Sequence, residues 1–156
     1  MIIKTNKNNK QRGITIVELL VYVGLLSIFM LVLVDVFVTI LNNKLETESI
    51  STLNQDTRYI YTRLAYDIAN ADSASVPSPN SLNIVSGGVS YDYARDGNGN
   101  LLLNGSALNG LDTKVDGIIF TKIGNTVKVS YTVTSRIELP SDEQTRSIET
   151  TVGLRP

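Results

Sequence analysis

The sequence contains no cysteine, no histidine and no tryptophan among its 156 residues. These absences exclude a disulfide bond, a thiolate nucleophile, a zinc site built from cysteine or histidine, and a histidine acid or base. A G-x-S-x-G motif and a P-loop are also missing, so we expect neither an enzyme activity nor a cofactor. The 14 basic and 15 acidic residues give a formal charge of −1, which argues against a basic nucleic-acid-binding domain.

Charge and hydrophobicity are distributed unevenly along the chain. Residues 14–41 contain 22 hydrophobic side chains out of 28. Residues 14–156 carry 10 basic and 15 acidic groups. Residues 1–13 contain no acid and have a charge of +4. The four basic residues are Lys4, Lys7, Lys10 and Arg12. The sequence therefore predicts a basic N-terminal segment, an apolar helix and a mildly acidic polar domain.

The apolar segment is long enough to cross a membrane. Residues 19–34 are uncharged and would span ~24 Å as a helix, and the apolar run to residue 41 covers a hydrocarbon core of ~30 Å. A cleaved secretory signal would be shorter, ~7–15 residues, and would end in a small-residue cleavage site that is not found here. A plain single-span anchor accounts for the hydrophobicity and places the basic end in the cytoplasm. It leaves Glu18 unexplained, because an acid in an apolar helix needs a partner.

Residues 12–20, Arg-Gly-Ile-Thr-Ile-Val-Glu-Leu-Leu, resemble the processing site of type IV prepilins and type II secretion pseudopilins. In that family a short basic leader ends in glycine, a hydrophobic residue follows, and a glutamate lies four residues further on. Gly13, Ile14 and Glu18 occupy these positions. The resemblance implies cleavage between Gly13 and Ile14 by a membrane-embedded prepilin peptidase, with N-methylation of the new Ile14 amine. This amine would pair with Glu18 and set the register of assembly, since a buried ion pair adds little net stability.

The resemblance implies an α+β, type IV pilin-like fold with a long N-terminal helix, half of it transmembrane, packed on a small antiparallel sheet. The expected organisation is a cleaved leader at 1–13, a transmembrane and filament-core helix at 14–41, an amphipathic continuation at 42–73 and a β-rich head at 74–156. Major pilins often have a proline in the apolar helix, but the first proline here is Pro77. Asp35 is interpreted as an acid at the outer membrane interface.

The amphipathic continuation has an apolar stripe and a charged face. The stripe consists of Leu53, Ile60, Leu64 and Ile68, at helical spacing. The residues assigned to the charged face are Glu46, Glu48, Asp56, Arg63, Asp67 and Asp72.

Two arginines and three tyrosines lie within residues 58–68 and permit two interpretations. They could form a stacking platform for single-stranded nucleic acid. We favour a structural role, in which the tyrosines wedge between helix and sheet and the arginines pair with Asp56 and Asp67.

From about residue 80 the hydrophobic pattern alternates with a period of two, which indicates strands. The predicted strands are Ser81–Ser86, Val89–Ala94, Leu101–Leu103, Val115–Ile123, Thr126–Ser135 and Arg146–Leu154. A two-residue turn at Gly124-Asn125 predicts a hairpin in which Ile123 faces Thr126 and Phe120 faces Val129. Its apolar face is expected to pack on the helix stripe.

Residues 96–100, Asp-Gly-Asn-Gly-Asn, have the start of a calcium loop but lack the later glycine and glutamate of an EF-hand. We interpret them as a hairpin turn and expect no metal there.

The head is also similar, in short motifs, to J-type minor pseudopilins and W-type minor pilins. The motifs lie at residues 90–97, 101–102, 115–120 and 150–155, with 63–68 in the helix. The resemblance implies a minor subunit of a type IV pilus or type II secretion-like pseudopilus. Its partners would be the prepilin peptidase, other pilin subunits in a hetero-oligomeric filament, an inner-membrane assembly platform and membrane lipid, with no direct nucleic-acid binding.

The expected localisation is the cytoplasmic (inner) membrane, single-pass, with the N-terminus inside and the C-terminus outside, and later a periplasmic or cell-surface filament. Two alternatives stay open. One is an uncleaved single-span anchor carrying an extracytoplasmic binding domain. The other is a competence pseudopilin for DNA uptake. A nuclease- or protease-like enzyme is a distant third interpretation.

Overall fold

The computed structural model describes residues 15–139 and 143–155 of the chain. A single long helix, α1, comes first at Ile16–Ala69 and is followed by eight strands. The strands are β1 Ser73–Ser78, β2 Ser81–Ser86, β3 Val89–Arg95, β4 Leu101–Leu103, β5 Ser106–Ala107, β6 Thr113–Ile123, β7 Thr126–Ser135 and β8 Thr145–Gly153. The chain divides into two compact units, one ending at Leu41 and one beginning at Asn42, and we call the second the head unit.

The first unit is the apolar part of α1. All its large hydrophobic side chains from Ile16 to Leu41 are exposed, and α1 contains a segment long and apolar enough to cross a membrane. The hydroxyl groups of Ser27 and Thr39 each donate to the carbonyl oxygen four residues earlier, at 2.8 and 2.9 Å. Such back-bonding removes most of the cost of placing a hydroxyl group in an apolar environment.

The strands of the head unit form two antiparallel sheets. One has the strand order β1-β2-β3-β4-β5 and the other has the order β6-β7-β8. The β6–β7 hairpin has the predicted register, with Ile123 opposite Thr126 and Phe120 opposite Val129. Its turn places Gly124 at φ 58°, a left-handed conformation that glycine adopts without a steric cost. The residues at 96–100 form the β3–β4 hairpin turn, closed by a bond from Asp96 N to Asn100 O of 2.9 Å.

The core of the head unit lies between α1 and the two sheets. The predicted stripe is buried throughout, from Leu53 at 5 % exposure to Ile68 at 0 %. The apolar faces of both sheets close over it. Their buried members include Leu82, Ile84, Tyr93, Leu101, Ile118, Phe120, Val127, Val129, Tyr131 and Val133. The chain therefore has the expected α+β, type IV pilin-like architecture.

Two elements differ from the sequence-based prediction. Helix α1 ends at Ala69 rather than at residue 73, and the chain turns at once into strand β1, which the serine- and proline-rich sequence had concealed. Strand β1 lies at a sheet edge with an irregular register between Ser75 and Ser78, a position that tolerates Pro77. The short strand β5 was also not predicted, because two residues carry no periodicity.

The predicted ion pair between Arg63 and Asp67 is confirmed, at 2.9 Å. The exposure of Asp67, the partner of Asp56 and the position of the three helix tyrosines were predicted wrongly. Asp67 is buried, at 4 % exposure, and Asp56 is bound to a loop rather than to an arginine. The helix tyrosines do not wedge against the sheet, since Tyr59, Tyr61 and Tyr66 are 45–66 % exposed. Two tyrosines of the sheet reach the helix instead.

Candidate functional site

The predicted processing site lies mostly outside the described residues. The leader 1–13 with its four basic side chains, the cleavage residue Gly13 and the methylation residue Ile14 all precede the first described residue, Thr15. Glu18 lies within the first turn of α1. The described part of the chain begins directly after the predicted cleavage position.

Thr15 caps the start of α1. Its Oγ1 accepts a hydrogen bond from the backbone N–H of Glu18 at 3.2 Å, and its carbonyl oxygen accepts one from Leu19 N at 3.0 Å. Residues 15–18 thus form the first half of a capping box, Thr-x-x-Glu, in which the threonine satisfies an otherwise unpaired helix N–H group. Our sequence interpretation overlooked this signal, because it assigned the glutamate to charge pairing and the threonine to nothing.

The side chain of Glu18 retains free acceptor capacity. The hydroxyl of Tyr22, one turn further along, donates to its Oε1 at 3.3 Å. A carboxylate offers about four acceptor positions on two oxygens, so one neutral donor leaves room for a cation. The positive end of the helix dipole also favours a negative charge in this first turn. The start of α1 therefore places a carboxyl group with unused acceptor positions close to the helix N-terminus.

Polar contacts at three levels join α1 to the sheets in the head unit. At the first level Asp67 Oδ2 accepts bonds from the hydroxyl of Tyr93 at 2.5 Å and from Arg63 Nε at 2.9 Å. Burial, followed by the bond to Asp67, raises the pKa of Tyr93. For Arg63 burial acts to lower the pKa, but the bonds to Tyr93 and Asp67 outweigh it, and the pKa is raised. The guanidinium of Arg63 also lies 5.9 Å from the ring centre of Tyr91.

The second level is a bond from the hydroxyl of Tyr131 to the carbonyl oxygen of Thr57, at 3.0 Å. Burial raises the pKa of Tyr131 as well. The third level is Asp56, whose Oδ2 accepts bonds from Gly110 N at 2.7 Å and from the hydroxyl of Thr113 at 2.5 Å. The sequence could not reveal these partners, since they lie 54–74 residues from the helix positions they contact.

The described residues contain no group of three or more acidic, cysteine or histidine side chains that could hold a metal ion. In the turn at residues 96–100, Asp96 Oδ1 accepts bonds from the backbone N–H groups of Asn98 and Asn100, and its Oδ2 accepts one from the side-chain amide of Asn100. The bond from Asn100 is the main reason that the pKa of Asp96 is lowered.

A family model for the prokaryotic N-terminal methylation motif matches residues 8–34. No curated protein and no solved structure matches the chain. The matched segment includes Lys10 and Arg12 of the basic segment, the Gly13-Ile14 pair, Glu18 and most of the exposed apolar helix. The motif supports the interpretation that the chain is a substrate of the prepilin peptidase, as type IV pilins and pseudopilins are. It also implies assembly with other pilin subunits. With the apolar helix it indicates a single-pass, membrane-anchored structural subunit.

Proposed function

We propose that the chain is a minor pilin or pseudopilin, cleaved between Gly13 and Ile14, methylated at Ile14, and incorporated into a type IV pilus or a type II secretion-like pseudopilus. The observation that carries this proposal is the match to the methylation motif directly ahead of an exposed apolar helix. An ordinary signal sequence is lost from the mature protein. Cleavage ahead of the apolar segment instead keeps it on the subunit.

The exposed apolar surface of α1 supports two successive environments for this helix, first the bilayer and then the filament. Large apolar side chains from Ile16 to Leu41 cannot stay in contact with water, because exposed apolar patches of this size drive association. A bilayer covers them before assembly, with the basic leader on the cytoplasmic side and the head unit outside. Helices of neighbouring subunits cover them in the filament.

Glu18 acts in the second environment. After cleavage the new amine at Ile14 is four residues before Glu18 in the sequence. The protonated amine of the same chain or of a neighbouring subunit can then form an ion pair with the carboxylate, which still has free acceptor positions. A desolvated carboxylate without its cation costs several kcal/mol, so wrong longitudinal positions of the helix are penalised. Glu18 therefore sets the position of the subunit in the filament.

The processing step is tested by the intact mass of the protein isolated from its own membrane. The expected mature chain lacks residues 1–13 and carries one additional methyl group. Gly13→Val should block cleavage, since a bulky side chain replaces the glycine at the cut position, and the uncut mass should accumulate. An uncut wild-type chain would refute the proposal and favour the permanently anchored binding domain.

The role of Glu18 is tested separately by Glu18→Gln. Glutamine keeps the length of the side chain and the oxygen that accepts the Tyr22 hydroxyl, but removes the charge. We expect normal cleavage and membrane insertion with loss of incorporation into sheared filaments, whereas the matched control Tyr22→Phe should incorporate normally. Equal incorporation of Glu18→Gln and wild type would contradict a charge-based register.

A further inference from the structure

The outer edge of β8 is a nine-residue stretch of regular backbone at the end of the β6-β7-β8 sheet. The bonds from Leu154 N to Asn125 O and from Ser135 N to Gln144 O, both 2.9 Å, lie at its two ends, and the register between them is unbroken. Because antiparallel residues alternate in the direction of their backbone groups, the even-numbered residues of β8 bond to β7. The residues that direct N–H and C=O groups outward are Thr145, Ser147, Glu149, Thr151 and Gly153. Within residues 15–139 and 143–155 no backbone group bonds to them.

Every other sheet edge in the described chain is protected. Strand β1 contains Pro77 and an irregular register, and β5 has only two residues. Strand β6 has a register shift near Gly117 and gives its Phe120 N–H to Pro79 O at 2.7 Å. Proteins protect exposed edges by such devices, because a long regular edge pairs with other strands. Strand β8 has neither proline nor bulge, which indicates that its free edge pairs with another strand.

A groove of about 360 Å³ runs beside this edge, between α1 and β8. Its walls include Arg58 and Tyr61 of the helix and Arg146 and Ile148 of the strand. The even-numbered side chains of β8 lie on the helix side of the sheet, since Ile148 is opposite the buried Tyr131. A strand added to β8 would therefore place alternate side chains in this groove.

The groove favours apolar and acidic side chains. Tyr61 is 45 % exposed, and Ile148 is only partly buried, so both offer apolar surface to an added strand. Neither Arg58 nor Arg146 forms an ion pair with a residue in the described ranges, and Arg146 bonds only to the neutral Asn54. The one acid in the groove wall, Glu149, is already paired with Lys128 at 2.7 Å.

We propose that the outer edge of β8 binds an extended segment of a different protein by strand addition. The segment alternates apolar and polar residues and carries an acidic side chain on the side that faces Arg58 and Arg146. Backbone hydrogen bonds give affinity and the groove gives specificity, as in other cases of strand addition. This site is independent of cleavage at Gly13 and lies outside the matched methylation motif.

A second copy of the chain fits the edge less well. A twofold pair centred on Glu149 would place two glutamates opposite each other, which is destabilising. Any antiparallel pairing of two β8 strands would also run the two α1 helices of the head units in opposite directions.

The test uses the full chain in detergent micelles and a labelled nine-residue peptide as the probe. The peptide alternates valine and threonine, with the central valine replaced by aspartate, and binding is measured by fluorescence anisotropy. Saturable binding is expected. Thr151→Pro removes an outward N–H without touching the β7–β8 bonds and should weaken binding by about tenfold, whereas Thr151→Ala should change it less than about twofold.

Charge reversal gives a second arm that does not depend on proline. Arg58→Glu should weaken binding of the aspartate peptide and strengthen binding of the same peptide with lysine in place of aspartate. Circular dichroism melting of each variant checks the fold. Absence of saturable binding, equal affinity of the proline and alanine variants, or no response to charge reversal would each overturn the proposal. Dimerisation of the chain that Thr151→Pro abolishes would also overturn it and assign the edge to a second copy.

Discussion

Removal of the Tyr93 hydroxyl is expected to destabilise the head unit by about 2 kcal/mol. This hydroxyl donates to Asp67, a carboxylate that is 4 % exposed and has Arg63 as its other side-chain partner. A hydrogen bond to a charged group contributes ~1.5–3 kcal/mol, and Tyr93→Phe would leave the buried carboxylate one donor short. The phenylalanine ring fills the same space, so no cavity adds to the loss.

The assay is thermal unfolding of the full chain in detergent, followed by near-ultraviolet circular dichroism of the tyrosines. For a unit of about this size 1 kcal/mol corresponds to roughly 4 °C, so Tyr93→Phe should lower Tm by roughly 8 °C. The matched control is Tyr91→Phe, which keeps the ring beside Arg63 and removes a hydroxyl that bonds to no described residue. It should cost less than about 0.5 kcal/mol. If both variants lose the same stability, the bond from Tyr93 to Asp67 contributes nothing specific and the reasoning fails.

Two further predictions concern alkaline stability and the start of α1. Burial raises the pKa of Tyr93 and Tyr131 in the folded state. Above about pH 10 the unfolded chain therefore loses these two protons before the folded chain does. The free energy of unfolding should then fall by ~1.4 kcal/mol per pH unit for each tyrosine, from the value that it has below pH 10. Chemical denaturation between pH 9 and 11 measures this slope, and Tyr131→Phe should reduce it, whereas an unchanged slope would assign it to other groups. Thr15→Ala removes the cap of α1 and should raise amide exchange in the first turn about fivefold, corresponding to about 1 kcal/mol. Thr39→Ala, which removes a mid-helix hydroxyl bonded to a carbonyl, should leave that turn unchanged.

Local patterns predicted most of the fold. The β6–β7 hairpin followed from strict alternation and a glycine-first turn, and its register is confirmed from Ile123 back to Phe120. The helix stripe was equally clear, because its four members repeat at multiples of a helical turn. Strand β1 was missed because Pro77 and its serines are typical of a loop. Only the pairing of β1 with β2 shows that they form an edge strand.

Non-local contacts explain the errors. On a helix with about 100° per residue, Tyr59 and Tyr61 lie on either side of the stripe position Ile60, so periodicity alone could have placed them at the border of the core. Which tyrosines are buried depends on the contacts between helix and sheets, and the buried ones are Tyr93 and Tyr131 of the strands. Asp67 was assigned to the charged face because its partner Tyr93 lies 26 residues away, on a strand whose register relative to α1 no local pattern specifies.

The polar contacts of the head unit also determine how α1 is positioned on the sheets. An apolar stripe that repeats every one or two turns packs almost as well after a shift of about 5.4 Å, because similar side chains then replace one another. The bonds of Asp56, Thr57 and Asp67 do not repeat, and a one-turn shift would break all three and leave the buried Asp67 without the hydroxyl of Tyr93. A buried carboxylate that loses a donor is destabilised, so the three bonds disfavour the shifted arrangement even if each adds little to stability. Apolar burial therefore holds α1 against the sheets, and the buried polar groups fix its longitudinal position.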